Sequence, residues 1–388
     1  MIIDKTKKIR LNIFIFILAF LSFFYTNSIS AQFQNKFRTN NLVLEGRFNY
    51  CFVAPHHLEM QIFNQHFPAY EINIFRATDG ETRWEYMYNY PLIGMSFWYS
   101  DFGKSPYLGK AYGIVPYINF PLIEKKKAII YFRFGLGVGF LTKKFNAIEN
   151  YKNLCIGSTI NAAVNFMLEV KWKITKRFIF SFGGGLAHFS NGSTKTPNFG
   201  LNIPFFNTGI AYRLSKRNPL SKEKLFPELY PYEFDGKKSI EVNVSAAFAV
   251  KDMNSEFGER YYVYTVFGNI FKQVSYKSKF GIGFDFSYDG SDLKLLERDK
   301  VEIENKLSII KPGISAAYEM MVSRFSFVVN LGMYLGGIEQ SDGTSYEKFA
   351  VKYKMTKNIY TNITLKTHSG RADFVGFGLG YHFNVFYY

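Results

Sequence analysis

Hydrophobic residues recur at every second position along most of the chain after Leu42. In the run 128–141 they form one continuous apolar face, while the opposite face carries Ile129, Tyr131, Arg133 and three glycines. Successive side chains of a strand point to opposite sides of a sheet, so this alternation predicts strands with one apolar and one small or polar face. Such strands, repeated along a chain, are typical of transmembrane β-barrels, whose outer wall meets lipid.

The alternation predicts roughly sixteen strands in two sets. Eight precede Leu214, near residues 42–53, 68–77, 91–101, 108–122, 127–142, 157–173, 177–190 and 199–214. About eight more lie between Ser239 and the C-terminus. Residues 215–237 carry three prolines and many charges without alternation, which predicts a linker. The predicted division is a barrel portion at 32–214, this linker, and a C-terminal strand portion at 238–388.

The number of barrels is left open by the pattern. A faint internal repeat, in which His188 precedes Gly209–Tyr212 and His368 precedes Gly378–Tyr381, is compatible with duplication. It is equally expected if barrel hairpins commonly end in glycine and tyrosine. The prediction is therefore an all-β, antiparallel outer-membrane barrel of about 14–16 strands, with two tandem eight-stranded units as the alternative. One wide barrel is preferred because two barrels in one chain are rare.

The N-terminus has the layout of a secretory signal peptide. Lys5, Lys7, Lys8 and Arg10 precede an apolar run from Leu11 to Phe24, and small or polar residues follow around Ser28–Gln32. The apolar run is shorter than the roughly 20 residues that a membrane-spanning helix needs. Residues 1–31 are therefore predicted to be removed on export, which places the mature chain in the cell outer membrane if the barrel prediction holds.

Composition and charge agree with a barrel at a membrane surface. Aromatic residues make up 19% of the chain, with 43 Phe and 28 Tyr, as expected for aromatic girdles. The net charge of +16 falls to about +13 without the four signal-peptide cations and Asp4. This excess indicates either contact with anionic lipopolysaccharide or basic residues that solvate loops. Export argues against a nucleic-acid partner, and the sequence does not indicate an oligomeric state.

Few residues suggest metal or cofactor chemistry. His56, His57 and His66 lie in a predicted solvated loop, and their spacing fits no standard metal site. His368 shares the predicted lumen face of its strand. No phosphate loop, dinucleotide motif or cysteine-based zinc pattern occurs, so no cofactor is predicted. An exported protein can form a disulfide, but the spacing of the two cysteines, Cys51 and Cys155, does not decide whether they pair.

The candidate reactive residues lie at the end of the strand near 177–190. His188 and Ser190 are two residues apart, so their side chains stand on the same face, as a general base beside a nucleophile would. Alternation from Phe182 and Leu186 assigns that face to the lipid side. Polar groups there are costly in hydrocarbon, which predicts a position near the headgroup boundary, at the extracellular rim.

The spacing also predicts cross-strand partners. A hairpin centred near Lys195 sets His188 opposite Asn202, and Ser190 opposite Gly200, which leaves room beside the hydroxyl. The Asn202 side chain would then orient the imidazole. Asn191 and Asn198, with the space at Gly200, are the predicted oxyanion region.

The segments His188–Asn191 and Pro197–Gly200 resemble the motif of outer-membrane lipid A 3-O-deacylases, small eight-stranded barrels with a His–Ser–Glu triad on the outer wall. The resemblance implies Ser190 as nucleophile, His188 as base, Asn198 near the oxyanion and an ester-linked acyl chain of outer-leaflet lipid A as substrate. Residues from about 215 onward have no counterpart in those small enzymes and look like the longer exported acyloxyacyl hydrolases.

One position departs from the family's motif, because the triad glutamate is replaced by Asn202. Asparagine can orient a histidine but cannot stabilise imidazolium by charge, and replacing the acid of a serine triad can cost about 10⁴-fold in rate. The leading hypothesis is a serine esterase acting on lipid A or a related lipid. The alternative is a non-catalytic barrel, with a structural, channel or binding role, that has lost the acid.

Overall fold

The computed structural model describes residues 42–80, 82–103, 105–214, 239–253, 259–303, 305–339 and 341–386. The predicted signal peptide and linker lie outside these residues. The first eight strands are β1 Leu42–Phe52, β2 His66–Ala77, β3 Leu92–Asp101, β4 Lys110–Glu124, β5 Ala128–Leu141, β6 Ile160–Lys173, β7 Phe178–Ser190 and β8 Leu201–Arg213. They begin and end within a few residues of the predicted bounds.

The second eight strands are β9 Ser239–Asp252, β10 Arg260–Gln273, β11 Ser278–Asp289, β12 Lys311–Val322, β13 Phe325–Tyr334, β14 Ser345–Lys354, β15 Ile359–His368 and β16 Arg371–Phe386. Within the described residues, loops carry two short α-helices, α1 Arg83–Met87 and α2 Gly290–Arg298, and two 3₁₀ segments, Leu58–Phe63 and Lys306–Ile309. No helix within the described ranges is long and apolar enough to cross a membrane.

Each set of eight strands closes on itself. In the first barrel β8 pairs with β1 as well as β7, and in the second β16 pairs with β9 as well as β15. The all-β antiparallel prediction is confirmed, and the tandem alternative describes the structure; the preference for one wide barrel is wrong. Closure satisfies the backbone N–H and C=O groups of both edge strands, which an open edge would leave without partners in lipid.

The predicted alternation decides which side chains face outward. On β5, Val138 and Phe140 are 56% and 48% exposed on the outer wall. Tyr131 and Arg133, on the opposite face, are 2% and 1% exposed because they point into the barrel.

The interior of the first barrel contains a charged network alongside two clusters of buried apolar side chains. Arg47 contacts Glu45 and Glu169, and Lys171 lies 2.9 Å from Glu45 Oε1. The third carboxylate, Glu71, has its Oε2 atom 3.5 Å from Arg133 Nη1. The described network thus balances three carboxylates with three cations. A cavity of about 10 Å³ lies beside it, lined by Trp98 and Phe189 among others, which is room for about one water molecule. This packing disfavours a channel through the first barrel.

The second barrel also has a polar, internally paired interior. Asp285 accepts hydrogen bonds from Lys348 at 2.7 Å and from Tyr346 at 2.8 Å. His368 is buried and its Nε2 lies 2.8 Å from the Tyr334 hydroxyl, so it points inward as predicted.

The two barrels contact each other at both ends. At the end opposite the predicted catalytic pair, the Tyr88 hydroxyl donates to Met321 O at 3.0 Å. Nearer the middle of strand β5, Phe134 packs edge-on against Phe327 with ring centroids 5.1 Å apart. At the other end, the loop between β7 and β8 contacts strands β9 and β16. The C-terminal barrel therefore lies against the loop that follows the predicted catalytic pair.

Candidate active site

Strand β7 carries His188 and Ser190 on the outer wall of the first barrel. Their neighbours Ala187 and Phe189 are buried inside, while Phe182 on the same face as His188 is 42% exposed. Both polar side chains are partly buried, at the end of the strand where β7 meets its loop. Ser190 pairs with Ala162 of β6, which has only a methyl group to place beside the hydroxyl.

His188 is oriented by the residue directly opposite on β8. The register pairs His188 with Asn202, as the hairpin spacing predicted. The His188 Nδ1 lies 2.6 Å from Asn202 Oδ1. An amide oxygen can only accept, so Nδ1 carries the proton and Nε2 presents a lone pair. That tautomer is the one a general base requires.

Gly200 makes room for the histidine rather than for the serine. The β7–β8 ladder ends at Phe189 and Leu201, one pair before Ser190 and Gly200. Gly200 has φ +79°, and a Cβ there would lie 2.8 Å from the His188 Cε1 atom. Because L-residues rarely adopt this backbone conformation, glycine is needed both for the turn and for the imidazole's position.

The backbone of Gly200 is hydrogen-bonded to the loop between β5 and β6. Its N–H donates to Cys155 O at 2.9 Å. Cys155 and Cys51 are both buried free thiols, which answers the question that their spacing left open. Burial raises the pKa of the Cys155 thiol to about 12, so this cysteine is neutral and unreactive beneath the site.

The Ser190 hydroxyl oxygen accepts two hydrogen bonds. Asn198 Nδ2 donates at 2.9 Å and the Gly192 N–H donates at 3.2 Å. The Asn198 side chain is itself fixed, since its Oδ1 accepts from the Asn191 N–H at 3.1 Å. With both acceptor positions of the oxygen filled, the Ser190 proton is left free to be donated.

Asn191 lies in the site but its side chain points elsewhere. Its Nδ2 donates to Ser158 Oγ at 3.0 Å and to Lys195 O at 2.8 Å. The side-chain amide therefore braces the loop, and the part of Asn191 that reaches the site is its backbone N–H. Of the two predicted oxyanion asparagines, Asn198 contacts the Ser190 oxygen directly, whereas Asn191 contacts Asn198 rather than that oxygen.

His56 joins the site from the loop between β1 and β2. Its Nδ1 lies 3.2 Å from Asn202 Nδ2, and its Nε2 lies 2.9 Å from Phe199 O. His56 lies exposed in this loop, as predicted, and its two ring nitrogens nevertheless contact the site. His57 stacks on the Phe199 ring with centroids 4.2 Å apart, and His66 begins β2.

Two contributors had no signal in the sequence. Gly192 acts through its backbone N–H, a group that nearly every residue type carries, and His56 is separated from Asn202 by 146 positions. Only the closure of β8 onto β1 brings the β1–β2 loop to the start of β8.

Family comparison follows the division into barrels. The family described as lipid A 3-O-deacylase (PagL) matches residues 69–211, and the one described as acyloxyacyl hydrolase, C-terminal domain, matches residues 239–385. The chain belongs to the lipid A 3-O-deacylase (PagL) family. At family level it is an outer-membrane lipid A deacylase, and the part beyond the first barrel corresponds to the acyloxyacyl hydrolase C-terminal domain.

Several solved structures are matched at low similarity. Neisserial surface protein A (NspA) is 9% identical with a TM-score of 0.33, over 44% of this chain and 96% of that chain. A mutant of Rh. blastica porin is 5% identical with a TM-score of 0.17, over 88% of this chain and 99% of that chain. At these scores the likeness carries no argument. A comparison with curated proteins gives no match.

Proposed function

We propose that the protein is an exported outer-membrane serine esterase that removes an ester-linked acyl chain from lipid A. Ser190 is the nucleophile, His188 the general base, and Asn202 the residue that orients the base. The observation that carries the proposal is the 2.6 Å contact between His188 Nδ1 and Asn202 Oδ1, which leaves Nε2 as a proton acceptor on the face that carries Ser190.

In the proposed reaction, rotation of the Ser190 side chain brings its hydroxyl to His188 Nε2. The oxygen attacks the ester carbonyl carbon while the proton passes to Nε2. The ester C–O bond then breaks, and the imidazolium returns the proton to the departing sugar hydroxyl. Water, activated by the same histidine, hydrolyses the acyl-serine and regenerates the enzyme.

The negative charge that develops on the carbonyl oxygen needs N–H donors. Asn198 Nδ2 and the Gly192 N–H converge on the resting position of the Ser190 oxygen, so rotation of the serine towards His188 frees both to donate to the carbonyl oxygen of the tetrahedral intermediate. Removing one donor of such a pair typically costs about 10²–10³-fold in kcat. Asn191 and Gly200 contribute by holding Asn198 and His188 in place.

The position on the outer wall suits a lipid substrate. An ester attacked at the rim does not have to leave the outer leaflet, because its acyl chain can remain along the apolar face formed by residues such as Phe182 and Phe206. The basic surplus of the chain fits the phosphates of lipopolysaccharide.

The test is mass spectrometry of lipid A from cells that express the wild-type protein or Ser190→Ala. We expect wild-type cells to contain lipid A lacking one acyl chain and Ser190→Ala cells to contain the intact form. Identical acyl patterns in the two strains would contradict the esterase and favour the non-catalytic barrel.

A further inference from the structure

The Asn202 side chain makes a second hydrogen bond, to His56, and this bond affects which nitrogen of the His188 ring carries the proton. An amide has two unlike ends, and a carboxylate has two equal ones. If the Asn202 NH₂ faced His188, Nδ1 would have to accept, the ring proton would move to Nε2, and Nε2 could no longer take a proton from Ser190. An asparagine at this position therefore needs a neighbour that selects the end it presents.

His56 has the contacts to make that selection. Phe199 O can only accept, so the His56 Nε2 at 2.9 Å carries a proton. In the neutral ring Nδ1 is then an acceptor, and the Asn202 group 3.2 Å away is the NH₂. The amide oxygen is thereby turned to His188. Donation by the NH₂ also polarises the amide, which makes Oδ1 a stronger acceptor.

We propose that His56 is a positioning residue, which fixes the Asn202 amide so that His188 is held in the tautomer of a general base. This role rests on the proposed esterase function. Together His56 and Asn202 perform the orienting task that a glutamate performs alone.

The contact is not needed to anchor the loop. The Ala54 N–H donates to the Asn202 backbone O at 2.9 Å, independently of any side chain. His57 adds the stacking contact with Phe199. The loop is therefore also attached to Asn202 and Phe199 by contacts that do not involve His56. Loss of the His56 nitrogens removes the selection of the amide end while these attachments remain.

The test measures the rate at which an alkyl fluorophosphonate labels Ser190 in the refolded full-length protein. The Ser190 oxygen bonds to phosphorus, fluoride leaves, and the proton passes to His188, so the rate reports activation of the serine without lipid A. His56→Phe keeps a ring but has no acceptor. His56→Asn keeps an acceptor at the position of Nδ1. His57→Phe is the control in the same loop, and heat-dependent gel migration verifies that each variant is folded.

We expect His56→Phe to label on the order of tenfold to a hundredfold more slowly, and His56→Asn and His57→Phe to label close to the wild-type rate. In an Asn202→Glu background, where no amide needs orienting, His56→Phe should change the rate less than about twofold. Undiminished labelling of His56→Phe would overturn the proposal. Equal loss in His56→Asn, or the same loss in the Asn202→Glu background, would overturn it by indicating a purely structural role.

The same experiment separates this proposal from the function on which it rests. If the wild-type protein and Ser190→Ala are equally unlabelled, the esterase itself is refuted, and the role of His56 with it. If the wild type is labelled and only the His56 comparisons fail, the esterase stands and the positioning role is refuted.

Discussion

At the scale of single residues, Asn202 is the position that departs from the family's triad. Its amide orients His188 through a 2.6 Å contact but carries no charge to stabilise the imidazolium formed during attack. The His188–Asn202 pair therefore has the orienting contact of a triad without the electrostatic contribution of the acid.

A charge at position 202 should accelerate the reaction. We expect Asn202→Glu to raise the rate of Ser190 labelling and of lipid A deacylation at least about tenfold, because a carboxylate stabilises imidazolium directly. Asn202→Gln has the same length without the charge and is the matched control. Equal rates for the two variants would show that charge is not what the site lacks.

At the scale of elements, the strands of the first barrel are held by their inward charges as well as by their ladders. Glu169 on β6 contacts Arg47 of β1, accepts a hydrogen bond from Asn119 of β4 at 2.6 Å, and lies 3.6 Å from Arg133 of β5. One carboxylate thus joins four strands at mid-barrel. The sequence predicted that Arg133 faces inward, but not which charges it would meet.

Removing that carboxylate should destabilise the first barrel. Glu169→Gln leaves three buried cations with two carboxylates, and breaking a buried pair in this way costs about 3–5 kcal/mol in the free energy of unfolding. Urea unfolding of the protein in lipid vesicles, followed by tryptophan fluorescence, measures the loss. Glu149→Gln, in an exposed loop, should change the free energy by no more than about 0.5 kcal/mol. Similar losses in both variants would contradict a structural role for the network.

At the scale of the whole molecule, the second barrel holds the loop that contains the donors to Ser190. Ser193 Oγ donates to Ala372 O at 2.6 Å, and the Asp252 N–H donates to Ser193 O at 2.9 Å. A Cβ at Gly192 would lie 2.2 Å from the Val375 side chain. The N–H that reaches the nucleophile is therefore positioned by contacts with β9 and β16.

A larger side chain at Val375 should disturb the site from the other barrel. Val375→Phe has no room beside Gly192, and overpacking of this kind costs about 1–3 kcal/mol. We expect labelling of Ser190 to slow by roughly the corresponding factor of 5 to 150. Leu379→Phe, on the same strand and face but 61% exposed, is the control and should label normally. Normal labelling of Val375→Phe would show that the second barrel does not position the loop.

The sequence by itself determined most features that depend on neighbours along the chain, although the role of Gly200 beside His188 was not among them. Alternation with period two fixed the strands and the side that each residue faces, so Arg133 was predicted to point inward and His188 outward. The length of one hairpin set His188 opposite Asn202. These features are local, because one residue's parity and a short loop decide them.

Only the tertiary structure decided the features that join distant parts of the chain. Sixteen strands with the same local pattern can close as one barrel or two, and the pairing of β8 with β1 and of β16 with β9 selected two. The first of these closures brings His56 to Asn202, and the packing of the barrels brings Val375 to Gly192. Closure depends on the stagger of all strands in a sheet, which no single segment encodes.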